Sequence, residues 1–214
     1  MTKDNKEISK ATLNRLPSYL KYLYQLDKLN VATVSSTTIA NGLNLNPVQV
    51  RKDIALVSSV AGKPKMGYVT KEIIADLESF LGYNNTHDAV LVGVGGLGKA
   101  FLGYGGFENY GLNIVAAFDN NDRIVNTKIN GKPVYDVSKL KEIVERFNIQ
   151  IGIITVPAYA AQEVADRMVG AGIKAIWNFA SVHLNIPSNV ALKNEDLASS
   201  LAILSLQIQQ TRND

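Results

Sequence analysis

Apolar residues follow two rhythms along the 214-residue chain. Over the first third, Leu13, Leu16, Leu20 and Leu23 recur at steps of three and four, which places them on one face of a helix. Pro17 falls inside that run and predicts a kink or a restart nearby, because proline lacks an N–H and crowds the preceding turn. From about residue 84 the texture changes. Strand-like runs at 89–92, 113–118, 151–154 and 175–179 alternate with helical stretches at 97–107, 138–147 and 160–171. Several of the runs are almost wholly apolar, as parallel strands buried on both faces are. Such alternation predicts βαβ units and a doubly wound parallel sheet of the α/β class. The polar joint Tyr83-Asn84-Asn85-Thr86 separates the two textures.

A third pattern closes the chain. Between Asp196 and Gln210, Leu197, Leu201, Leu204 and Ile208 recur at helical spacing, and Ala198, Ala202, Ile203 and Leu206 make the other side apolar too. A helix that is apolar nearly all round needs cover on every side. That cover is either its own domain or a partner subunit. Glu195 and Asp196 at its start suit the positive end of a helix dipole.

The strand-to-helix junction at residues 93–98 carries the clearest chemistry. Gly93-Val94-Gly95-Gly96-Leu97-Gly98 fits G-x-G-x-x-G, follows a strand directly and opens a helix. Gly93 makes the tight turn, Gly95 lets backbone approach a pyrophosphate, and Gly98 allows close helix–strand packing, with the phosphates on the helix N-terminus. Asp119 ends the next strand 21 residues after Gly98, where an acidic side chain holds an adenosine ribose. A carboxylate there also repels a 2′-phosphate and favours NAD(H) over NADP(H), and Arg123 blunts that preference slightly. Thr155-Val156-Pro157 and Asn178-Phe179-Ala180 stand at later strand ends, where ligands of open α/β sheets bind. Thr155 and Asn178 are candidate contacts to the nicotinamide half, or else members of ordinary turns.

Composition narrows the chemistry. The chain has no Cys and two His, His87 and His183, which excludes disulfides, thiolate nucleophiles and Cys-based zinc sites and leaves no metal site to expect. No apolar run approaches the roughly 20 residues of a membrane-spanning helix, and the first residues lack the apolar stretch of a signal peptide, so a soluble, cytoplasmic protein is expected. Charge is uneven. Residues 1–81 hold 11 Lys and Arg against 7 Asp and Glu, while the remainder is slightly acidic within an overall charge of +3. The basic excess sits in the first third, which points to a nucleic-acid contact there.

The pattern of that third fits such a contact. Ser35-Ser36-Thr37-Thr38-Ile39-Ala40-Asn41-Gly42 reads as a capped short helix, followed by a turn at residues 43–46. Asn46 then stands as N-cap before Pro47 at the first position of a second helix, Pro47-Val48-Gln49-Val50-Arg51-Lys52-Asp53-Ile54. Helix, short turn and second helix is the helix-turn-helix arrangement, whose second helix enters the DNA major groove. Ser36, Asn46, Gln49, Arg51 and Lys52 are the candidate DNA contacts there. Gly62-Lys63-Pro64-Lys65-Met66-Gly67-Tyr68 reads as a basic hairpin tip, a wing whose Lys63 and Lys65 neutralise phosphates.

A hydride-transferring enzyme needs a proton donor at the substrate and a group that binds it. The sheet region offers no Tyr-x-x-x-Lys pair and no His/Asp couple, and its roughly 110 residues leave no second domain for a substrate. A sensor rather than an enzyme is therefore expected. Two other readings stay open: an NAD-dependent dehydrogenase whose helical N-terminus binds a partner, and a dimerising NAD(H) scaffold that binds nucleic acid nonspecifically.

From about Thr12 to Gln207 the chain resembles the Rex family of bacterial redox-sensing transcriptional repressors. The resemblance is carried in order by Arg15-Leu16-Pro17, Val50-Arg51-Lys52-Asp53, the glycine loop continuing into Tyr104-Gly105-Gly106-Phe107, and Ala116-Ala117-Phe118-Asp119. Thr155-Val156-Pro157 with Ala161-Gln162, Ala171-Gly172-Ile173-Lys174, Trp177-Asn178-Phe179-Ala180 and Glu195-Asp196 complete it. It implies a homodimer in which residues 1–83 form a winged-helix DNA-binding domain and 84–193 a Rossmann NAD(H)-binding domain. Residues 194–214 would then form a C-terminal helix swapped between subunits. It further implies binding of double-stranded operator DNA when NADH is scarce and release when NADH rises relative to NAD+. Tyr104 and Asp196 match residues that take part in switching, and Lys21 stands where their partner is an Arg, keeping the charge but losing the bidentate fork. In the wing, Pro64-Lys65 stands where Arg-Gly is expected, and Ser181 replaces a common proline. These departures predict a divergent paralogue with altered operator preference or ligand response.

Overall fold

The computed structural model describes residues 8–59, 62, 67–85 and 87–211. The chain divides into two compact units, Met1–Asn85 and Thr86–Asp214.

The first unit is built on α1 (Lys10–Lys28), β1 (Thr33–Val34), α2 (Ser36–Leu43), α3 (Pro47–Val57), β2 (Tyr68–Val69) and α4 (Thr70–Leu81). Three helix starts are fixed by side-chain oxygens. Ser9 accepts the Thr12 N–H, Ser35 the Thr38 N–H, and Asn46 those of Val48 and Gln49. Each satisfies a donor that the first helical turn leaves without a partner. Of the expected kink or restart in α1, the restart is absent: the helix runs continuously through Pro17. Its buried stripe of Leu16, Tyr19, Leu20 and Leu23 packs against Ile39, Val50, Ile54, Ile73 and Leu77, so burial on both sides of the proline outweighs the hydrogen bond it removes. β2 pairs antiparallel with β1. Gly67, with φ +76°, turns the chain beside the Val34 carbonyl, where a side chain has no room. Asp76 of α4 accepts from Ser58 and Ser59 and ties down the end of α3.

The second unit centres on a seven-stranded sheet in the order β5-β6-β4-β3-β7-β8-β9. Its strands are β3 (His87–Val92), β4 (Leu112–Asp119), β5 (Lys128–Ile129), β6 (Lys132–Asp136), β7 (Ile151–Ile154), β8 (Ala175–Asn178) and β9 (Ala191–Asn194). All pairs are parallel except the β5–β6 hairpin, whose turn residues Asn130 and Gly131 both have positive φ. Helices α5 (Gly96–Gly103), α6 (Leu140–Phe147) and α7 (Ala158–Gly170) cover the faces. On one face Val90, Val92, Ile154, Leu140, Val164 and Met168 form a core, and on the other Leu91, Ile153, Val94 and Leu102 do so. From β3 the chain steps outward to β4 and β6, then returns to the other side of β3 for β7, β8 and β9. The switch point therefore lies at the C-terminal ends of β3 and β7, where Val92 pairs with Ile154.

Helix α8 (Leu197–Thr211) closes the described chain. Leu201, Ile203, Leu204, Leu206 and Ile208 are each more than half exposed on it, on more than one side. No helix among the described residues is long and apolar enough to cross a membrane.

Candidate functional site

The loop after β3 is shaped by two steric facts. Gly93 has φ +102°, and a Cβ there would lie 2.7 Å from Val156 Cγ1 and 2.8 Å from the Thr155 carbonyl carbon. A Cβ on Gly98 would run into the Gly93 carbonyl oxygen, so α5 can pack this tightly only with glycine at that position. Gly95, by contrast, faces open space and leaves the backbone N–H groups of the helix start accessible. The Thr155 hydroxyl donates to the Gly93 carbonyl at 2.6 Å, locking the β7 loop onto the glycine turn.

The Asp119 carboxylate completes the lip. Its Oδ2 accepts the Val94 N–H at 2.6 Å and its Oδ1 the Asn121 N–H at 2.9 Å. Held this way, each oxygen keeps a lone pair for a further donor such as a ribose hydroxyl. Gly93, Val94, Gly95, Asp119, Thr155, Val156 and Pro157 all line one cleft of about 490 Å³, within the range of small-molecule sites. The sequence reading missed the rest of its wall. Ala160, Glu163, Val164 and Arg167 of α7 line it with Ile124 and Val137, and the three-to-four-residue spacing along α7 was the available signal. Lys99 of α5 also lies on the wall.

Gly96, Leu97 and Gly98 form the first turn of α5 behind the loop, off the lining itself. Tyr104, Asn178 and Phe179 are not on this wall either. Tyr104, about half exposed, packs edge-on against Phe107 at 4.9 Å and borders a separate cavity of about 370 Å³ with Phe101, Asn130 and Lys132. Phe179 belongs to an aromatic group with Phe101 and Trp177. Asn178 is fully buried, and its amide serves the protein's own chain. Nδ2 donates to Ala180 O, Val182 O and Asn194 Oδ1, and Oδ1 accepts the Ala180 N–H. Its side chain braces the ends of β8 and β9 instead of reaching a ligand. Asn178 shapes the strand ends from inside, whereas Thr155, its hydroxyl proton spent on Gly93, still lines the cleft. Asp196 caps α8 through Ser199, whose hydroxyl and N–H hold its carboxyl below the usual range.

In the first unit, α3 turns Val50, Asp53 and Ile54 into the core and leaves Val48, Gln49, Arg51 and Lys52 exposed. Arg51 and Lys52 are exposed on the helix and form no ion pair or side-chain hydrogen bond among the described residues. Ser36 is half-buried at the start of α2, and Lys21 is exposed on α1. Asn46 Oδ1 is engaged as the α3 cap. Lys63 and Lys65 of the wing lie outside the described residues. Among the described residues no group of His, Asp and Glu could hold a metal ion.

A capped helix with a bare basic face in one unit, and a glycine-loop cleft at a sheet switch point in the other, define a nucleotide-binding protein with a helix-turn-helix module. Comparison with known proteins places it more closely. Residues 84–182 match the family model described as "CoA binding domain", and residues 7–55 the one described as "Putative DNA-binding protein N-terminus". Two relatives carry the name "Redox-sensing transcriptional repressor Rex". That of Treponema denticola is 41% identical over 92% of this chain and 93% of its own. That of Carboxydothermus hydrogenoformans is 42% identical over 95% of this chain and 98% of its own. The crystal structure of RSP in complex with beta-NAD+ and operator DNA matches with TM-score 0.91 and 35% identity, covering 97% of this chain and 95% of that one. RSP in complex with beta-NADH matches with TM-score 0.88 and 35% identity over 97% of both chains. The chain belongs to the Rex family of redox-sensing transcriptional repressors.

Proposed function

We propose that this protein is a cytoplasmic homodimeric repressor that binds operator DNA and lets go when NADH rises relative to NAD+. The observation that carries the reading is the coexistence, on one chain, of the cleft braced by Asp119 and the exposed Arg51–Lys52 face of α3. Residues 1–83 form the DNA-binding domain, 84–193 the NAD(H) domain and 194–214 a dimerisation segment exchanged between subunits, where the exposed apolar residues of α8 find cover. Ser36, Asn46, Gln49, Arg51 and Lys52 approach the major groove, and Lys63 and Lys65 hold phosphates. The pyrophosphate rests on residues 93–98 and the ribose on Asp119, with Val156 and Pro157 on the cleft wall and Thr155 toward the nicotinamide half. Lys21, Tyr104 and Asp196 serve the switch. RSP, similar over nearly the whole chain, has been solved with beta-NAD+ and operator DNA and with beta-NADH, which supports this assignment. The protein is not an enzyme: its relatives are named as repressors.

NADH acts by favouring the DNA-released state, so by linkage operator DNA weakens NADH binding by the same factor. Fluorescence anisotropy of a labelled duplex from the promoter of its own gene, titrated with protein and then with NADH or NAD+, tests this. Sequence-selective binding reversed by NADH and far less by NAD+ is expected. Equal NADH affinity with and without operator overturns the mechanism.

A further inference from the structure

An acid in the middle of a DNA-facing helix repels phosphate if it is exposed. Asp53, which follows Arg51 and Lys52 on α3, is 1% exposed and turned inward. Its carboxylate accepts five hydrogen bonds, four of them from α1. Arg15 donates from Nε to Oδ2 at 2.8 Å and from Nη2 to Oδ1 at 3.1 Å, Tyr19 Oη donates to Oδ2 at 2.8 Å, and Thr12 Oγ1 to Oδ1 at 3.2 Å. The fifth comes from α3 itself: Gln49 Nε2, one turn before, donates to Oδ1 at 2.8 Å.

That fifth bond settles the orientation of the Gln49 amide. A carboxylate only accepts, so the group facing Asp53 must be the NH₂, and the carbonyl Oε1 turns away from it. Gln49 is exposed and stands in the first turn of α3, the part of a recognition helix that meets base edges. It presents a carbonyl oxygen beside its second N–H, an acceptor next to a donor. Adenine offers the complement in the major groove, the N6 amine beside N7. Much of the rotamer freedom a surface glutamine loses on docking is already gone in the free protein, because Asp53 holds the amide and Arg15 holds Asp53.

We propose that Gln49 is a specificity-determining residue that reads one adenine in each operator half-site, and that Asp53, anchored by Arg15, is its positioning residue. This rests on the DNA-binding role proposed above. Of the two cations beside it, Lys52 supplies attraction that is largely blind to sequence when spent on phosphate, while Arg51 has the fork to bridge a guanine. Recognition of an adenine at this edge of the helix then falls to the held amide.

The test begins with full-length wild type and a pool of random duplexes, from which the preferred sequence is selected. Affinities follow for a series in which each base pair of a half-site is changed singly. We expect wild type to discriminate by about tenfold or more at one A·T pair. Gln49→Ala loses the discrimination at that pair alone, and Asp53→Asn reduces it at the same pair while leaving nonspecific affinity and its salt slope unchanged. A wild-type circular dichroism spectrum and a cooperative melt, even at a lowered midpoint, show that each variant is folded. If Asp53→Asn does not fold, Arg15→Lys, which keeps the charge but not the fork, takes its place. A Gln49→Ala profile identical to wild type, or a uniform loss over all sequences, overturns the reader. Full discrimination in a folded Asp53→Asn overturns the positioning role. Failure of wild type to select any sequence removes the DNA-binding reading itself, and this proposal with it.

Discussion

Asp119 and Val94 are joined by a 2.6 Å hydrogen bond from the Val94 N–H to the Asp119 carboxylate, so the residue suited to a ribose also braces the glycine turn. Loss of the carboxylate acts twice, on the ligand and on the loop. Asp119→Ala is expected to weaken NADH binding by about 2 kcal/mol or more, while Asp119→Asn, which keeps an acceptor for Val94, loses less. Titration of NADH fluorescence with both variants checks the ordering.

Gly95 and Gly98 separate binding from folding. A Cβ at Gly98 meets the Gly93 carbonyl, so Gly98→Ala should cost about 2 kcal/mol of stability by overpacking. Gly95 has open space around it, so Gly95→Val keeps the melting temperature and blocks only the approach of the phosphates. Thermal melts paired with NADH titrations distinguish the two variants.

The network around Asp53 gives the DNA-binding unit a pH dependence at both ends. Burial pushes the Asp53 carboxyl up, but hydrogen bonds from Arg15, Tyr19 and Gln49 outweigh it and hold it below the usual carboxylate range. Such a group adds stability above its unfolded value of about 3.9 and loses it as pH falls through the lower folded value. Burial, then the bond to Asp53, push Tyr19 up to about 12. Its contribution is complete below its unfolded value of about 10 and lost as pH rises toward the folded one. Arg15→Ala should cost about 2 kcal/mol, less than a fully buried pair because Arg15 keeps a quarter of its side-chain surface in water. It should also move the acid limb to higher pH. Denaturant melts across pH, followed by tyrosine absorbance, read both limbs.

Arg51→Ala is expected to abolish operator-selective binding and leave NADH affinity unchanged, since Arg51 lies in the first unit and the cleft in the second. Anisotropy and NADH titration on the same preparation check it; loss of both activities indicates a misfolded variant instead.

Helix α8 predicts an association phenotype. Leu201 and Leu204 are 64% and 52% exposed in the single chain. Replacing both with Glu should leave the sheet domain's NADH site intact and convert the dimer to a monomer, measured by light scattering after size exclusion.

The chemistry of backbone turns was legible from residue order. Asn46 before Pro47 does cap α3, and a glycine loop between an apolar strand and a helix does stand at the switch point with Asp119 at its edge. What escaped was the direction in which polar side chains spend their hydrogen bonds. Asn178 sits at a strand end, as a ligand contact does, yet its amide is consumed by neighbouring carbonyls. Asp53 directly follows Arg51 and Lys52 in sequence, but lies on the inner side of α3 against Arg15, 38 residues earlier, and local spacing holds no trace of that partner. Pro17 shows the limit of a local rule: it allows a kink or a restart, and the buried leucines on either side of it keep the helix continuous, without a restart. The β5–β6 hairpin and β9 are too short for periodicity to register.

The bare leucines of α8 make abundance itself a variable of this protein. In the homodimer proposed above, covering them is a second-order event, so apparent stability rises with chain concentration by mass action. Newly made subunits at low copy number expose an oily rod until they meet one another. The number of molecules per cell then sets a floor beneath which neither redox poise nor operator sequence governs promoter occupancy, because too few complete readers exist to respond.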